Sequence, residues 1–158
     1  MEKSSEIDIN IQQVSDRRMR DFRTIIPESQ LKKIVRLTVN TSKKSYDKQA
    51  LLNYRFTNSS EIKKLNMTYR GKNKPTNILT FCYERKPSII ADIVVCLPII
   101  LRESKTQQKT VFNHVCHLLI HGTLHALGLD HCQKSQTEEM ENLEIKLLEK
   151  LGIKNPYS

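Results

Sequence analysis

Alternating apolar and polar residues near the start of the chain predict a β-strand with one buried face, because Ile7, Ile9 and Ile11 are separated by polar residues. Three further short apolar runs, each bounded by turn-forming residues, predict strands at 51–56, 78–82 and 91–96. In the first of these runs, Tyr54 and Phe56 add the aromatic character that is typical of strands. The pattern therefore predicts about four strands, all of them before residue 97.

Apolar residues at helical spacing, together with start and stop signals, predict five helices. Pro27 begins the first, whose buried side is expected to consist of Leu31, Ile34, Val35 and Leu37. The other four helices are expected to begin near Ser60, Pro98, Thr110 and Ser135, and Ser135 is expected to form a capping box with Glu138. Three of the five helices are expected to end at a glycine: Gly71, Gly128 and Gly152. Strands come early and helices late, which favours an α+β fold: a small mixed sheet of about four strands with helices packed on it. The length of 158 residues indicates a single domain over 1–158.

The net charge of the chain indicates which kind of partner it binds. Lys and Arg number 26 against 17 Asp and Glu, a net charge of +9, which predicts a polyanionic partner. The chain has no tryptophan and no basic amphipathic helix with bulky aromatic residues, so nucleic acid is favoured over a membrane surface. No signal peptide or bilayer-length apolar run is visible, so a cytoplasmic location is expected.

All five histidines lie between residues 114 and 131. His121 and His125 are four residues apart, so on a helix both imidazoles lie on one face and can bind one metal ion. Gly128 is the residue type that ends a helix in the left-handed conformation, which allows the chain to return with His131 as a third ligand. Three protein ligands leave one position of a tetrahedral ion open, as in catalytic zinc sites.

The spacing alone also permits His117 and His121 as the metal-binding pair. The position of Gly128 favours His121 with His125, so His117 is predicted to support the ligands without binding the metal. Asp130 is predicted to orient a ligand through its other ring nitrogen. Three neutral imidazoles suit one zinc ion per chain, with nickel, copper or iron as alternatives.

No glutamate follows the first of the predicted metal-binding histidines, because that position is Gly122. The spacing H-x-x-x-H-x-x-G-x-x-H is that of the metzincin proteases, but their general base is missing. A zinc peptidase is therefore less favoured. Cys132 follows His131 and could compete as a ligand, although free cysteines are more often inert buried side chains.

Two long motifs resemble the signatures of a bacterial family, the YbeY family. The first is HLLIHGTLHALGLDH, from His117 to His131, and the second is NMTYRGKNKPTNILTF, at 66–81. Ala91-Asp-Ile is similar to the family's usual Gly-Asp-Ile strand, and the resemblance runs from about residue 50 to the C-terminal end. The chain departs from the family pattern where Leu129, Ala91 and Asn73 stand for a frequent Tyr, Gly and Asp.

The resemblance implies a single-strand-specific endoribonuclease that acts in ribosomal RNA maturation, including the 3′ end of 16S rRNA, and in ribosome quality control. The zinc ligands that it implies are His121, His125 and His131. Arg70 is then the catalytic arginine of the facing cleft, and Lys72 and Lys74 extend its positive charge along the RNA. The implied partners are single-stranded ribosomal RNA and the small ribosomal subunit with its assembly factors.

Two alternatives stay open at this point. One is a ribosome-assembly binding factor in which the metal has a structural role. The other is a zinc peptidase that takes its base from elsewhere in the chain. For the endoribonuclease itself, the sequence is compatible with attack either by a metal-activated water or by the RNA 2′-hydroxyl.

Overall fold

The computed structural model describes residues 6–42, 49–129 and 134–158. Within these ranges the strands are β1 (Ile7–Gln13), β2 (Ala50–Thr57), β3 (Ile78–Glu84) and β4 (Ile89–Cys96). In the same ranges the α-helices are α1 (Glu28–Thr41), α2 (Ser59–Arg70), α3 (Leu97–Thr106), α4 (Val111–Ala126) and α5 (Lys134–Lys150). Each of these elements lies where the residue pattern predicts one.

The strands of the described residues form one mixed sheet in the order β1-β2-β4-β3. β1 is parallel to β2 and β2 is parallel to β4, so that Ile9 lies opposite Leu52 and Tyr54 opposite Ile93. β3 is antiparallel to β4 at one edge. Parallel neighbours need a crossover connection, which α1 supplies between β1 and β2. This arrangement confirms the predicted α+β fold with a small mixed sheet.

One face of the sheet carries the main hydrophobic core. Leu52, Tyr54 and Phe56 of β2 are fully buried there, because alternate side chains of a strand point to the same face. Helices α1 and α4 cover this face and α5 packs against both helices, with core residues such as Leu31, Ile34, Leu119, Leu124, Leu147 and Leu148. A smaller cluster beneath α2 consists of Ile62, Leu79, Val94 and Cys96. The sheet therefore separates most of α2 from α4.

Most of α4 is buried, as its nearly continuous apolar sequence requires. The hydroxyl of Tyr54 lies 2.6 Å from Oγ1 of Thr123, which joins the helix to the sheet. At Gly122, one residue earlier, the helix backbone approaches the sheet closely, and the backbone oxygen accepts a 3.2 Å hydrogen bond from Oγ1 of Thr80. No helix among the described residues combines the length and apolar character that a membrane crossing requires.

The helix ends follow the predicted signals with one exception. Thr110 caps α4 through its side-chain oxygen. Gly71 ends α2 with φ +68°, a left-handed conformation that favours glycine. The prediction that Ser135 caps the last helix was wrong, because α5 already includes Lys134 and Ser135 lies inside its first turn. Residue type alone does not distinguish a capping serine from a serine in the first turn of a helix, since serine is found at both positions.

Candidate active site

His121 and His125 lie one turn apart on α4, with their ring planes nearly perpendicular, at 81°. Their Nε2 atoms are 3.1 Å apart and their ring centroids are 4.6 Å apart. Two imidazole nitrogens bound to one tetrahedral zinc ion at about 2.0–2.1 Å would be separated by about 3.3 Å. The observed separation therefore fits two ligands that share one ion.

The predicted third ligand, His131, lies outside the described residues, as do Asp130, the predicted orienting residue, and Cys132. Across the ranges that the structure describes, no three His, Cys, Asp or Glu side chains are grouped so that they could hold a metal ion. The described part of the chain thus supplies the pair His121 and His125, and the third ligand stays a prediction.

A cleft of about 580 Å³ opens beside this histidine pair. The described residues that line it are Arg70, Asn77, Ile78, Thr80, Cys82, Arg85, His121, His125, Gly128 and Leu129. Arg70 is the last residue of α2, and the left-handed turn at Gly71 directs the chain away immediately after it. The cleft runs along the β3 edge of the sheet, which is where the end of α2 reaches the histidines on α4. The predicted catalytic arginine and two predicted metal ligands therefore share one cavity.

Lys72 and Lys74 are exposed on the loop that follows Arg70 and do not belong to the described lining of the cleft. This loop is held at one point by Asn66, a buried residue of α2 whose Nδ2 donates a 2.9 Å hydrogen bond to the backbone oxygen of Lys74. The two lysines thus stand on an anchored loop next to the cleft residue Arg70, where their charges add to the positive potential of that surface.

The position that a glutamate occupies in HExxH peptidases faces the sheet. A Cβ atom on Gly122 would lie 2.7 Å from Cδ1 of Ile78 and 3.1 Å from Cγ2 of Ile93. A glutamate there would crowd both side chains, so Ile78 would have to rotate away and α4 would have to shift relative to Ile93. Packing of α4 therefore accounts for the glycine and weakens the zinc-peptidase alternative.

Behind His121 lies a buried carboxylate that the sequence reasoning missed. Glu144 of α5 is fully buried, and its Oε1 lies 2.7 Å from Nδ1 of His121 and 3.3 Å from Nε2 of His117. Its Oε2 accepts a 2.6 Å hydrogen bond from the Tyr157 hydroxyl. Burial alone raises the pKa of Glu144, but the hydrogen bonds from these three side chains outweigh it and hold the pKa at about 2. Glu144 is therefore ionised.

The sequence does contain a signal for Glu144. It lies in the apolar stripe of α5 that includes Met140, Leu147 and Leu148, and an acidic residue at a core position requires partners. His117, which was predicted to support the ligands, lies on the same side as this carboxylate, with its Nε2 also 3.3 Å from the Tyr157 hydroxyl. No local pattern marks Tyr157, because its contact depends on how the C-terminal segment folds back.

The remaining described histidine lies away from the pair. Nε2 of His114 is 3.0 Å from Oε1 of Glu103, which connects α4 to α3. Burial lowers the pKa of His114, although the hydrogen bond that its Nε2 donates to Glu103 acts in the opposite direction. His114 is therefore a buried packing residue with one carboxylate partner.

A second guanidinium of the cleft, Arg85, was also missed. It lies between β3 and β4, and its Nη2 is 3.5 Å from the backbone oxygen of His125. Its Nε would lie 3.3 Å from a Cβ on Gly128, so the glycine leaves room for the arginine to pack against the end of α4. Nothing near Arg85 in the sequence indicates this position, which results from the packing of the β3–β4 connection on α4.

The fold and the cleft together define an α+β domain that presents a histidine pair and two arginines to one cavity, a site suited to an anionic substrate. A family model described as Endoribonuclease YbeY matches residues 6–152. The chain is 42% identical over 158 residues to Endoribonuclease YbeY of Polynucleobacter asymbioticus, covering 99% of this chain and 97% of that protein. It is 48% identical over 107 residues to Endoribonuclease YbeY of Alteromonas mediterranea, covering 65% of this chain and 68% of that protein. The chain belongs to the YbeY endoribonuclease family.

A solved structure supports the same fold. The solution structure of a Thermotoga maritima protein matches with a TM-score of 0.53 over 91% of each chain, at 22% sequence identity. Because the identity is low, this likeness concerns the arrangement of helices and strands.

Proposed function

We propose that this protein is a metal-dependent, single-strand-specific endoribonuclease that acts in ribosomal RNA processing. The observation that carries the proposal is the shared cleft, in which the Nε2 atoms of His121 and His125 lie 3.1 Å apart and the guanidinium of Arg70 lines the same cavity. Membership of the YbeY endoribonuclease family supports RNA, rather than DNA, as the substrate.

The metal ion, with zinc as the expected one, would be held by His121, His125 and His131. When bound, it supplies Lewis-acid chemistry, lowering the pKa of a water molecule and withdrawing charge from a phosphate oxygen. None of these three ligands carries a negative charge, so the charge of the ion would not be neutralised by its ligands. A site of this kind attracts an anionic substrate more strongly than one with a carboxylate ligand.

Arg70 contributes a permanent charge to the same cleft. Its guanidinium offers a planar set of donors that matches two oxygens of a phosphate, which a lysine does not. No acidic residue is among the described residues that line the cleft, so none competes with a phosphate there for the Arg70 charge. Arg85, which packs beside Gly128, adds a second guanidinium to the cleft, and Lys72 and Lys74 extend the positive surface along the loop.

By the family resemblance, the proposed substrate is single-stranded ribosomal RNA, including the 3′ end of 16S rRNA, with a role in ribosome quality control. The proposed setting is the cytoplasm, with the small ribosomal subunit and its assembly factors as partners. The net charge of +9 supports a polyanionic substrate of this kind.

Substitution of Arg70 tests the proposal. We expect Arg70→Ala to lower kcat/KM for a labelled single-stranded RNA about 10²- to 10³-fold, the usual cost of removing one donor that stabilises developing charge. Arg70→Lys should restore only part of the activity, because a lysine cannot bind two oxygens with a planar fork. The matched control is Arg36→Ala, which removes an exposed arginine of α1 that does not line the cleft.

The same assay distinguishes the outcomes. Zinc content by elemental analysis and thermal unfolding show whether each variant is folded and loaded. Unchanged cleavage by a folded, zinc-loaded Arg70→Ala protein would refute the role of Arg70. Products with a 5′-phosphate would assign the attack to water, and products with a 2′,3′-cyclic phosphate would assign it to the RNA 2′-hydroxyl. A duplex of the same sequence should be cleaved far more slowly.

A further inference from the structure

The buried carboxylate behind His121 has a donor on both of its oxygens. Oε1 of Glu144 lies 2.7 Å from Nδ1 of His121, and Oε2 accepts a 2.6 Å hydrogen bond from Tyr157. Glu144 itself is inaccessible to solvent. With both oxygens engaged from different directions, the carboxylate has one favourable orientation, and that orientation presents Oε1 to His121.

This contact determines which nitrogen of His121 carries hydrogen. Because Oε2 accepts the hydrogen bond from Tyr157, Oε1 is the acceptor that faces His121, and Nδ1 is the donor across the 2.7 Å contact. In a neutral imidazole the other nitrogen, Nε2, then has the lone pair that a metal ion requires. Nε2 is also the atom that lies 3.1 Å from Nε2 of His125. The carboxylate therefore selects the tautomer of His121 whose Nε2 lone pair points toward His125.

Tyr157 makes the C-terminal segment part of this arrangement. Its backbone N–H donates a 2.8 Å hydrogen bond to Oδ1 of Asn155, which forms a local turn. Its ring meets the edge of His117 with centroids 5.6 Å apart and planes at 88°. Without the hydroxyl, Oε2 would lose its donor inside the protein, and the carboxylate, whose Oε1 also lies 3.3 Å from Nε2 of His117, would be held less firmly toward His121.

We propose that Glu144 and Tyr157 are positioning residues, which hold His121 in the Nδ1–H tautomer with Nε2 directed at the cleft and thereby increase the affinity of the site for its metal ion. This inference rests on the proposed function, because it assigns His121 to a metal site. By this inference, Glu144 from α5 and Tyr157 from the C-terminal segment contribute to the zinc affinity of the site without binding the ion.

Zinc affinity of the full-length chain provides the first test. It is measured by competition of the metal-free protein with a chromophoric chelator for Zn²⁺. We expect Glu144→Gln to weaken zinc binding about 10- to 100-fold, the usual effect of losing a carboxylate that orients a histidine ligand. Tyr157→Phe should weaken it on the order of fivefold, because one hydrogen bond to the carboxylate is lost while the carboxylate stays.

Two matched variants make the same chemical changes elsewhere. Tyr83→Phe removes an exposed tyrosine hydroxyl that donates a 2.9 Å hydrogen bond to Asp92. Glu103→Gln replaces a carboxylate that pairs with another histidine of α4, His114, at 3.0 Å. Both should bind zinc as the wild type does.

The second readout is the tautomer of His121 in the metal-free protein, taken from long-range ¹H–¹⁵N spectra and assigned with His121→Ala. We expect the Nδ1–H form in the wild type, a mixture in Glu144→Gln, and an unchanged spectrum in the two controls. A purely structural role for Glu144 would lower thermal stability without changing the tautomer.

Wild-type zinc affinity and an unchanged tautomer in both Glu144→Gln and Tyr157→Phe would overturn the inference while leaving the proposed function intact. Because Tyr157→Phe is a mild change to a partly exposed residue, it keeps the test decisive even if Glu144→Gln does not fold. A wild-type chain that binds no zinc would overturn the proposed metal site and the inference with it, and the wild-type titration alone would show this.

Discussion

Replacement of Gly122 by alanine tests whether α4 is positioned by direct contact with the sheet. The new methyl group would lie 2.7 Å from Cδ1 of Ile78, 3.1 Å from Cγ2 of Ile93 and 3.4 Å from Oγ1 of Thr80. All three atoms lie on neighbouring strands, so a shift of the helix away from them must separate α4 from the sheet. Ile78 and Thr80 also line the cleft.

Two effects of opposite sign decide the magnitude. In a helix interior, alanine is favoured over glycine by about 1 kcal/mol. An additional methyl group in a packed core costs about 1–3 kcal/mol. Cδ1 of Ile78 is the end of a half-buried side chain and can rotate away, whereas Cγ2 of the fully buried Ile93 is restricted by branching at Cβ. We therefore expect crowding to prevail, with the free energy of unfolding lowered by about 1 kcal/mol.

Urea unfolding of four proteins provides the measurement: wild type, Gly122→Ala, Ile78→Val and the double variant. Ile78→Val removes the atom at 2.7 Å, so Gly122→Ala should be less costly in that background by about 0.5 kcal/mol or more. If Gly122→Ala were more stable than the wild type, or if the two changes were additive, the inferred close contact would be wrong.

Two further predictions concern charge. Affinity for single-stranded RNA should fall steeply with salt, and Lys72→Ala should reduce the slope of log K against log salt by about 0.7–1, as measured by fluorescence anisotropy; an unchanged slope would argue against a phosphate contact. A hydrogen bond from Arg55 at 2.6 Å holds the pKa of Glu61 below the ordinary glutamate value of 4.5. The Arg55–Glu61 pair therefore stabilises the folded state above about pH 4.5, and this contribution is lost as pH falls through the folded-state pKa of Glu61. Glu61→Gln should flatten this acid limb of the stability curve, and identical acid limbs would contradict the pairing.

The helices and strands were largely predictable because their signals are local. The alternation around Ile9 and the helical spacing around Ile34 each reflect one buried face, and glycine at 71 marks a helix end through its own backbone preference. The same locality placed His121 and His125 on one helix face. The prediction that Ser135 caps α5 was wrong, because several polar residues near position 135 are of types that can begin a helix.

The partners of the site residues were less predictable. Asp130, predicted to orient a ligand because it is close to the histidines in sequence, lies outside the described residues, and its role stays a prediction. Glu144, which contacts His121 from α5, was not predicted. Arg85 reaches the cleft in a comparable way, from the connection that follows β3. Both contacts depend on which faces of separate elements pack together.

The order of residues was enough to predict the elements, the charge, the spacing of the histidines and the family motifs, because each of these depends on residues that are near one another in the chain. The family motifs also implied that Arg70 lies in the cleft, and the structure places it there. The close approach of Gly122 to the sheet, the entry of Arg85 into the cleft and the position of Glu144 behind His121 became visible only in the folded chain. The physical reason is that such contacts arise from burial of whole faces, and the free energy of burial does not depend on how far apart two residues are in the chain.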